Sequence, residues 1–175
     1  MYIELIITKE EAHRLETLSG CLLGISPSTQ VNMFTSMAKN TSKGLPKRIM
    51  STLNDFKNSQ HGCILIKGLP VDENYIWTPK NNQYHIGETT MLSRIQAIIN
   101  EYLGDMVSYE AEGDGRLFQD MVPNKELALS QTSLGSKKEL ELHTEQAFSE
   151  MRPDYLSLAC LKGDIYAKTY IMHLQ

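Results

Sequence analysis

The spacing of apolar residues changes once along this chain, and that change limits the folds open to it. Up to Gly104 they recur mostly at every third or fourth position, the period of a helix with one buried face. Beyond Val107 they fall in short alternating or continuous runs, the signature of strands. Thr8 is placed to cap a helix through "KEEAHRLETLSG", whose acidic first turn suits the positive end of the helix dipole. Gly20 and Gly24 interrupt the pattern; "SPSTQ" restarts it, with a second helix expected to about Lys39 and "NTSKG" as loop. Pro46 suits a first helical turn and opens "LPKRIMSTLNDFKNS", with Ile49, Leu53 and Phe56 on one face. Thr89 or Thr90 caps "MLSRIQAIINEYLG", where Leu92, Ile95, Ile98 and Ile99 fall at helical spacing and Gly104 is the stop. Two short strand candidates, "YIELIIT" and "CILIKGLP", interleave with these helices, and a polar loop containing Trp77 follows the second. After Val107 the runs "VSYEA", "RLFQDMVP", "ELELHTEQA", "DYLSLACLKG" and "KTYIMHL" are expected strands. Helices first and strands later predict an α+β protein, or helices decorating a β-sandwich or jelly roll.

The 175 residues, 41% apolar and 22% charged, suit one globular domain and can form a core without disulfide or metal staples. A formal net charge of −4 offers no basic stripe for nucleic acid, and no apolar window is long enough to span a membrane. The start, "MYIELIITKEEAH", lacks the basic segment and cleavage site of a signal peptide. Cys21, Cys63 and Cys160 form no CxxC pair; Cys63 and Cys160 lie in apolar runs and are expected to be buried, in a reducing cytoplasm. The sequence stops at Gln175 within an apolar run, so the expectation is the N-terminal half of something longer. Residues 1–175 would then form the first part of one domain, helix-rich over 1–105 and the beginning of a strand core over 106–175.

The stretch "ELELHTE", Glu139 to Glu145, sets charged or imidazole side chains at odd positions and Leu140 and Leu142 at even ones. On a strand, residues two apart share a face, so His143 and Glu145 point one way and the leucines the other. Such a face is either a solvated surface or two ligands of a 2-His-1-carboxylate iron site, which leaves coordination positions open for a cosubstrate and O2. A zinc hydrolase is disfavoured, because there is no helical HExxH.

The surroundings narrow the choice. "LFQDMVP", "ELHTEQAF", "RPDYLSLACLKGD" and "AKTY", spread over residues 116–169, resemble the clavaminate synthase-like Fe(II)/2-oxoglutarate-dependent oxygenases, and within them the enzymes that hydroxylate free amino acids such as lysine, arginine and asparagine. The resemblance implies a double-stranded β-helix (jelly-roll) core behind N-terminal helices, with Fe(II) as cofactor and 2-oxoglutarate and O2 as cosubstrates. It implies His143 and Glu145 as iron ligands, Glu145 also lying near the substrate's amino group. Gln119 and Ser133 match substrate-contacting positions, and Gln131 close by is a weaker candidate. Thr169 matches a residue that holds the 2-oxoglutarate carboxylate, with Leu158 contributing from the adjoining strand. Hydroxylation of a basic amino acid, lysine ahead of arginine, is the implied activity. The partner is a free amino acid, with no nucleic acid or membrane, and whether copies of the chain associate is open.

Two family elements have no counterpart here. The second iron-binding histidine should lie far downstream; the one later histidine, His173, is thirty residues on in a strand-like run and reads as structural or surface. No arginine follows Arg152 to pair with the distal 2-oxoglutarate carboxylate. The alternative is therefore a non-catalytic β-sandwich that binds or interacts, or an inactive remnant of such an oxygenase.

Overall fold

The computed structural model describes residues 2–72 and 77–172. Its regular elements are β1 (Tyr2–Ile6), α1 (Lys9–Ser19), α2 (Val31–Ser42), α3 (Lys47–Lys57), β2 (Cys63–Lys67) and α4 (Met91–Leu103). β1 and β2 pair in parallel, Tyr2 beside Cys63 and Ile6 beside Lys67. The three helices between them supply the crossover that a parallel pair requires. Leu5 turns inward to the helices, while Glu4 on the outer face meets Lys67 at 2.8 Å. Among the described residues no helix is long and apolar enough to cross a membrane.

Local chemistry starts α1 and α4 where the sequence places them, whereas α2 and α3 have no side-chain cap and α2 begins only at Val31, after "SPSTQ". Thr8 and Glu11 form a reciprocal capping box, the Thr8 hydroxyl accepting the Glu11 N–H at 3.2 Å and the Glu11 carboxylate accepting the Thr8 N–H at 2.9 Å. At α4 the Thr90 hydroxyl accepts the Ser93 N–H and the Asp72 carboxylate accepts the Met91 N–H at 2.8 Å, a negative charge at the positive helix end. α4 is apolar around most of its circumference, so it is the helix that others surround. Leu92, Ile95, Ala97, Ile98 and Ile99 are all 5% exposed or less, and α1, α2 and α3 each pack on it. Leu15, Phe34, Ile49 and Leu53 complete the same core.

An ion pair ties three elements together at the edge of that core. Arg48 of α3 donates to the Glu11 carboxylate of α1 at 2.9 and 2.5 Å and to the Ile6 carbonyl of β1 at 2.7 Å. The Arg48 guanidinium, helped by the Thr8 bonds and opposed by burial, holds the Glu11 carboxyl down at about 2.

Three expectations are corrected. Asn40, Thr41 and Ser42 belong to α2 instead of a loop, because Thr41 and Ser42 are buried and the Ser42 hydroxyl bonds the Lys39 carbonyl at 2.8 Å. Tertiary packing here outweighs weak helix propensity. Cys160 is exposed, not buried. The expected strands beyond Val107 form no ladder among the described residues. A helix closes its hydrogen bonds within itself, whereas a strand needs a neighbour along its length, and residues 107–172 find none. The surface area expresses the same fact: 12402 Å² for 19.8 kDa, against about 8,600 Å² for a compact monomer of that mass.

The later segments are nonetheless docked at fixed points. Phe118 packs edge-on to Phe34 with ring centres 6.0 Å apart. Arg116 pairs with Glu88 at 2.6 Å, and Glu88 accepts the Ser28 hydroxyl at 3.3 Å. The Asp120 carboxylate accepts the N–H groups of Ile86 and Gly87 at 2.6 and 2.9 Å. Farther on, Gln96 of α4 donates to the Ser157 carbonyl and hydroxyl at 3.1 and 3.0 Å, and Tyr155 packs on Phe56.

Arg48→Met should lower the unfolding free energy at pH 7, by less than loss of a fully buried pair would because Arg48 is half exposed. Because folding depresses the Glu11 pKa, the pair's contribution is present above pH 4.5 and disappears as pH falls toward about 2. Urea unfolding of parent and variant at pH 7 and pH 3 should therefore give a smaller difference at the lower pH. A Cβ on Gly87 would collide with the Asp120 carboxylate, so Gly87→Ala should cost about 1 kcal/mol in the same assay by displacing Asp120 from two part-buried amides.

Candidate metal centre

Residues 139–144 carry no regular secondary structure and pair with no strand among the described residues, and Glu145 opens a turn. Within them His143 is held at both ring nitrogens. Nδ1 lies 2.8 Å from the Glu141 carbonyl oxygen, and Nε2 lies 3.2 Å from Glu145 Oε1. A carbonyl can only accept, so Nδ1 carries a hydrogen and donates it. In the neutral ring Nε2 then presents a lone pair to a carboxylate. Two electron-rich atoms at that distance repel unless a cation lies between them, and either a proton or a metal ion would serve. The Glu141 carbonyl raises the His143 pKa above its ordinary 6.5, burial opposes it, and the Glu145 carboxylate adds a lesser upward push. Both side chains are about half exposed, so the pair opens to solvent on one side.

An imidazole whose Nδ1–H is anchored to a backbone carbonyl and whose Nε2 is turned toward a carboxylate is the donor arrangement a divalent transition metal requires. The two residues supply one nitrogen and one oxygen donor, which suits iron. Among the described residues no group of three His, Cys, Asp or Glu side chains could hold a metal ion. His173 lies outside the described residues.

The neighbouring backbone turns sharply after the pair. Gln146 sits in the left-handed region at φ 49°, and its amide bonds the Glu112 carboxylate. The Tyr109 hydroxyl donates to the Met151 carbonyl, so residues 109–112 grip the segment just beyond Glu145. Glu112 reaches the other side as well: its carbonyl accepts from Gln119 Nε2 at 3.4 Å. Glu112 thus links Gln119 to Gln146, and the Gln119 side chain lines a cleft of about 30 Å³ together with His85, Gly113 and Asp120. Gly113 is required there twice over, since its φ is +59° and a Cβ would lie 2.5 Å from the Gln119 amide carbon.

The other predicted positions are placed less closely. Ser133 is exposed in a loop that closes on itself through Asn124 N–H to Leu134 carbonyl, 3.0 Å, and Lys137 N–H to Ala128 carbonyl, 2.9 Å. The Gln131 amide bonds the Glu139 and Glu141 backbone. Leu158 and Thr169 are exposed, and among the described residues no hydrogen bond joins their segments to His143 or Glu145. Phe148 is fully exposed. The Gly-Asp turn expected after Cys160 is present, with the Asp164 carboxylate accepting the Tyr166 N–H at 2.8 Å. Sequence reasoning missed Glu112, Asp120 and the Arg116–Glu88 pair, which hold Gln119 and the metal pair in place. Their partners lie seven to 34 residues away, and no local spacing marks them.

No family model matches the chain. It is 47% identical over 169 residues to the L-lysine 3-hydroxylase of Catenulispora acidiphila, an alignment that covers 95% of this chain and 47% of that protein. It is 28% identical to clavaminate synthase 2 of Streptomyces clavuligerus, over 79% of this chain and 43% of that one. A crystal structure of asparagine oxygenase in complex with Fe(II), 2S,3S-3-hydroxyasparagine and succinate superposes with a TM-score of 0.74 at 25% identity, over 86% of this chain and 48% of the other. The chain thus spans about half the length of the relatives it matches. The helical frame and this similarity along nearly its whole length make the chain similar to part of the clavaminate synthase-like Fe(II)/2-oxoglutarate-dependent oxygenases.

Proposed function

We propose that the protein, as a complete domain, is a cytoplasmic hydroxylase that inserts one oxygen atom into an unactivated C–H bond of a free basic L-amino acid, lysine ahead of arginine. The observation that carries this reading is the His143–Glu145 pair, an imidazole nitrogen 3.2 Å from a carboxylate oxygen, in a chain 47% identical to an L-lysine 3-hydroxylase. His143 and Glu145 would hold the iron. When bound with 2-oxoglutarate and O2, that ion supplies the oxidising power, and the cosubstrate leaves as succinate and CO2.

The chain's own residues do the rest of the work. The Glu141 carbonyl keeps the hydrogen on His143 Nδ1, so the ring offers Nε2 to the metal. Glu145 faces the ammonium of the substrate, and Gln119 supplies both a donor and an acceptor to its zwitterionic end. Ser133 adds a hydroxyl from the loop of residues 124–138, which closes over the substrate as a lid and excludes water. The Thr169 hydroxyl and the Leu158 backbone hold the 2-oxoglutarate carboxylate.

The same reading assigns residues 106–172 to the first strands of a double-stranded β-helix. Leu142, Leu156, Leu158 and Ile171 are each at least 60% exposed, which supports a further layer of strands covering them in the complete domain.

Incubating the full-length protein with Fe(II), 2-oxoglutarate and each proteinogenic amino acid in turn tests this directly. Succinate and a product heavier by one oxygen should appear with lysine, and His143→Ala should abolish both turnover and metal uptake. Gln119→Ala should raise KM for the amino acid about tenfold with metal affinity unchanged, the loss of about one good hydrogen bond. Absence of turnover with every amino acid, together with no metal uptake, would leave a non-catalytic binding module.

A further inference from the structure

The geometry points to Gln131 as a positioning residue for the metal-binding segment, in place of the substrate contact that the family resemblance implies. This rests on the iron-site reading above and adds a residue to it. The Gln131 amide makes two backbone bonds at once: Nε2 donates to the Glu139 carbonyl at 3.0 Å, and Oε1 accepts the Glu141 N–H at 3.2 Å. In a parallel sheet a single residue of one strand engages its neighbour in this way, taking the N–H of one residue and giving to the carbonyl two positions earlier. One side-chain amide therefore stands in for one residue of a parallel strand, opposite Leu140, where the described backbone supplies none.

The consequence passes straight to the ligand. Glu141, whose N–H is fixed by Gln131, is also the residue whose carbonyl receives His143 Nδ1–H at 2.8 Å. Gln131 sets the Glu141 peptide units, Glu141 sets the plane and tautomer of the imidazole, and Nε2 is thereby turned to Glu145. The backbone of Gln131 is itself steadied by turn bonds on both sides, Ser130 N–H to the Leu127 carbonyl and Thr132 N–H to the Ser130 carbonyl, each 2.9 Å. Both functions of the amide are aimed at the metal segment, while Ser133 two residues on stays exposed.

The test uses the full-length protein with Co(II) as an optically visible probe, and compares Gln131→Leu, Gln131→Glu and Ser133→Ala with the parent. Gln131→Leu should weaken Co(II) binding about tenfold or more, the range expected for loss of an outer-shell support. The amino-acid KM at saturating metal should stay within about twofold. Gln131→Glu keeps an acceptor for the Glu141 N–H and should recover part of the metal affinity; Ser133→Ala should leave it unchanged. In the metal-free protein the Glu141 amide should exchange its hydrogen faster in Gln131→Leu than in the parent. Unchanged Co(II) affinity in Gln131→Leu with a raised amino-acid KM would overturn the proposal and restore Gln131 as a substrate contact. Unchanged Glu141 exchange would also overturn it. If the parent takes up no Co(II), the iron reading fails by itself, and the exchange measurement still decides whether Gln131 holds the segment.

Discussion

Burial of α4 is the constraint on which the rest of this structure depends. Its apolar residues occupy more than one face, so a single neighbour could not cover them, and α1, α2 and α3 close around it. That arrangement fixes where β1 and β2 can meet, and it fixes the outer surface on which later segments land. Phe118 reaches Phe34 on α2, Tyr155 reaches Phe56 on α3, and Ser157 is held by Gln96 on α4 itself. No residue of the metal pair touches the core directly. The pair is tied to the rest of the chain by Gln119, Glu112 and Gln146 on one side, and its segment is bonded by Gln131 of the 124–138 loop on the other.

This placement explains the electrostatics of the centre. In a dry interior, His143 and Glu145 would each need full compensation for lost water. Half exposed, the two side chains keep part of their hydration and need far less compensation. Orientation is the expensive quantity, and backbone carbonyls and amides supply it. The Glu11–Arg48 pair shows the contrasting case, a nearly buried carboxylate stabilised so strongly that its pKa falls to about 2.

The division between what could be read from the residues and what could not follows the range of the forces involved. Thr8 with Glu11, Thr90 and Gly104 mark helix ends through bonds that span only a few residues, and the structure places all four as caps. Ile49, Leu53 and Phe56 declare a buried face by spacing alone. The strands beyond Val107 could be named by pattern but not completed, because a ladder is a property of two segments. The parity of Glu139 to Glu145 assumed a strand; none forms there, and the 3.2 Å contact of His143 with Glu145 is made where the backbone enters a turn. It could not foretell Glu112, whose carbonyl and carboxylate serve two different segments, nor Asp120, whose partners lie 33 and 34 residues earlier. Gln131 was singled out for its proximity to Ser133, and only its bonds reveal that its amide is already committed.

The loop over residues 124–138 closes its hydrogen bonds internally and leans very little on the helices. Substitutions at its crown, around Ser133, therefore leave the folding free energy almost untouched. A lineage can alter that crown step by step without first acquiring compensating changes in the helical core. Relatives that act on different amino acids while sharing this frame are the expected outcome of such a separation. The part of the molecule free to vary is the part that meets what varies in its environment.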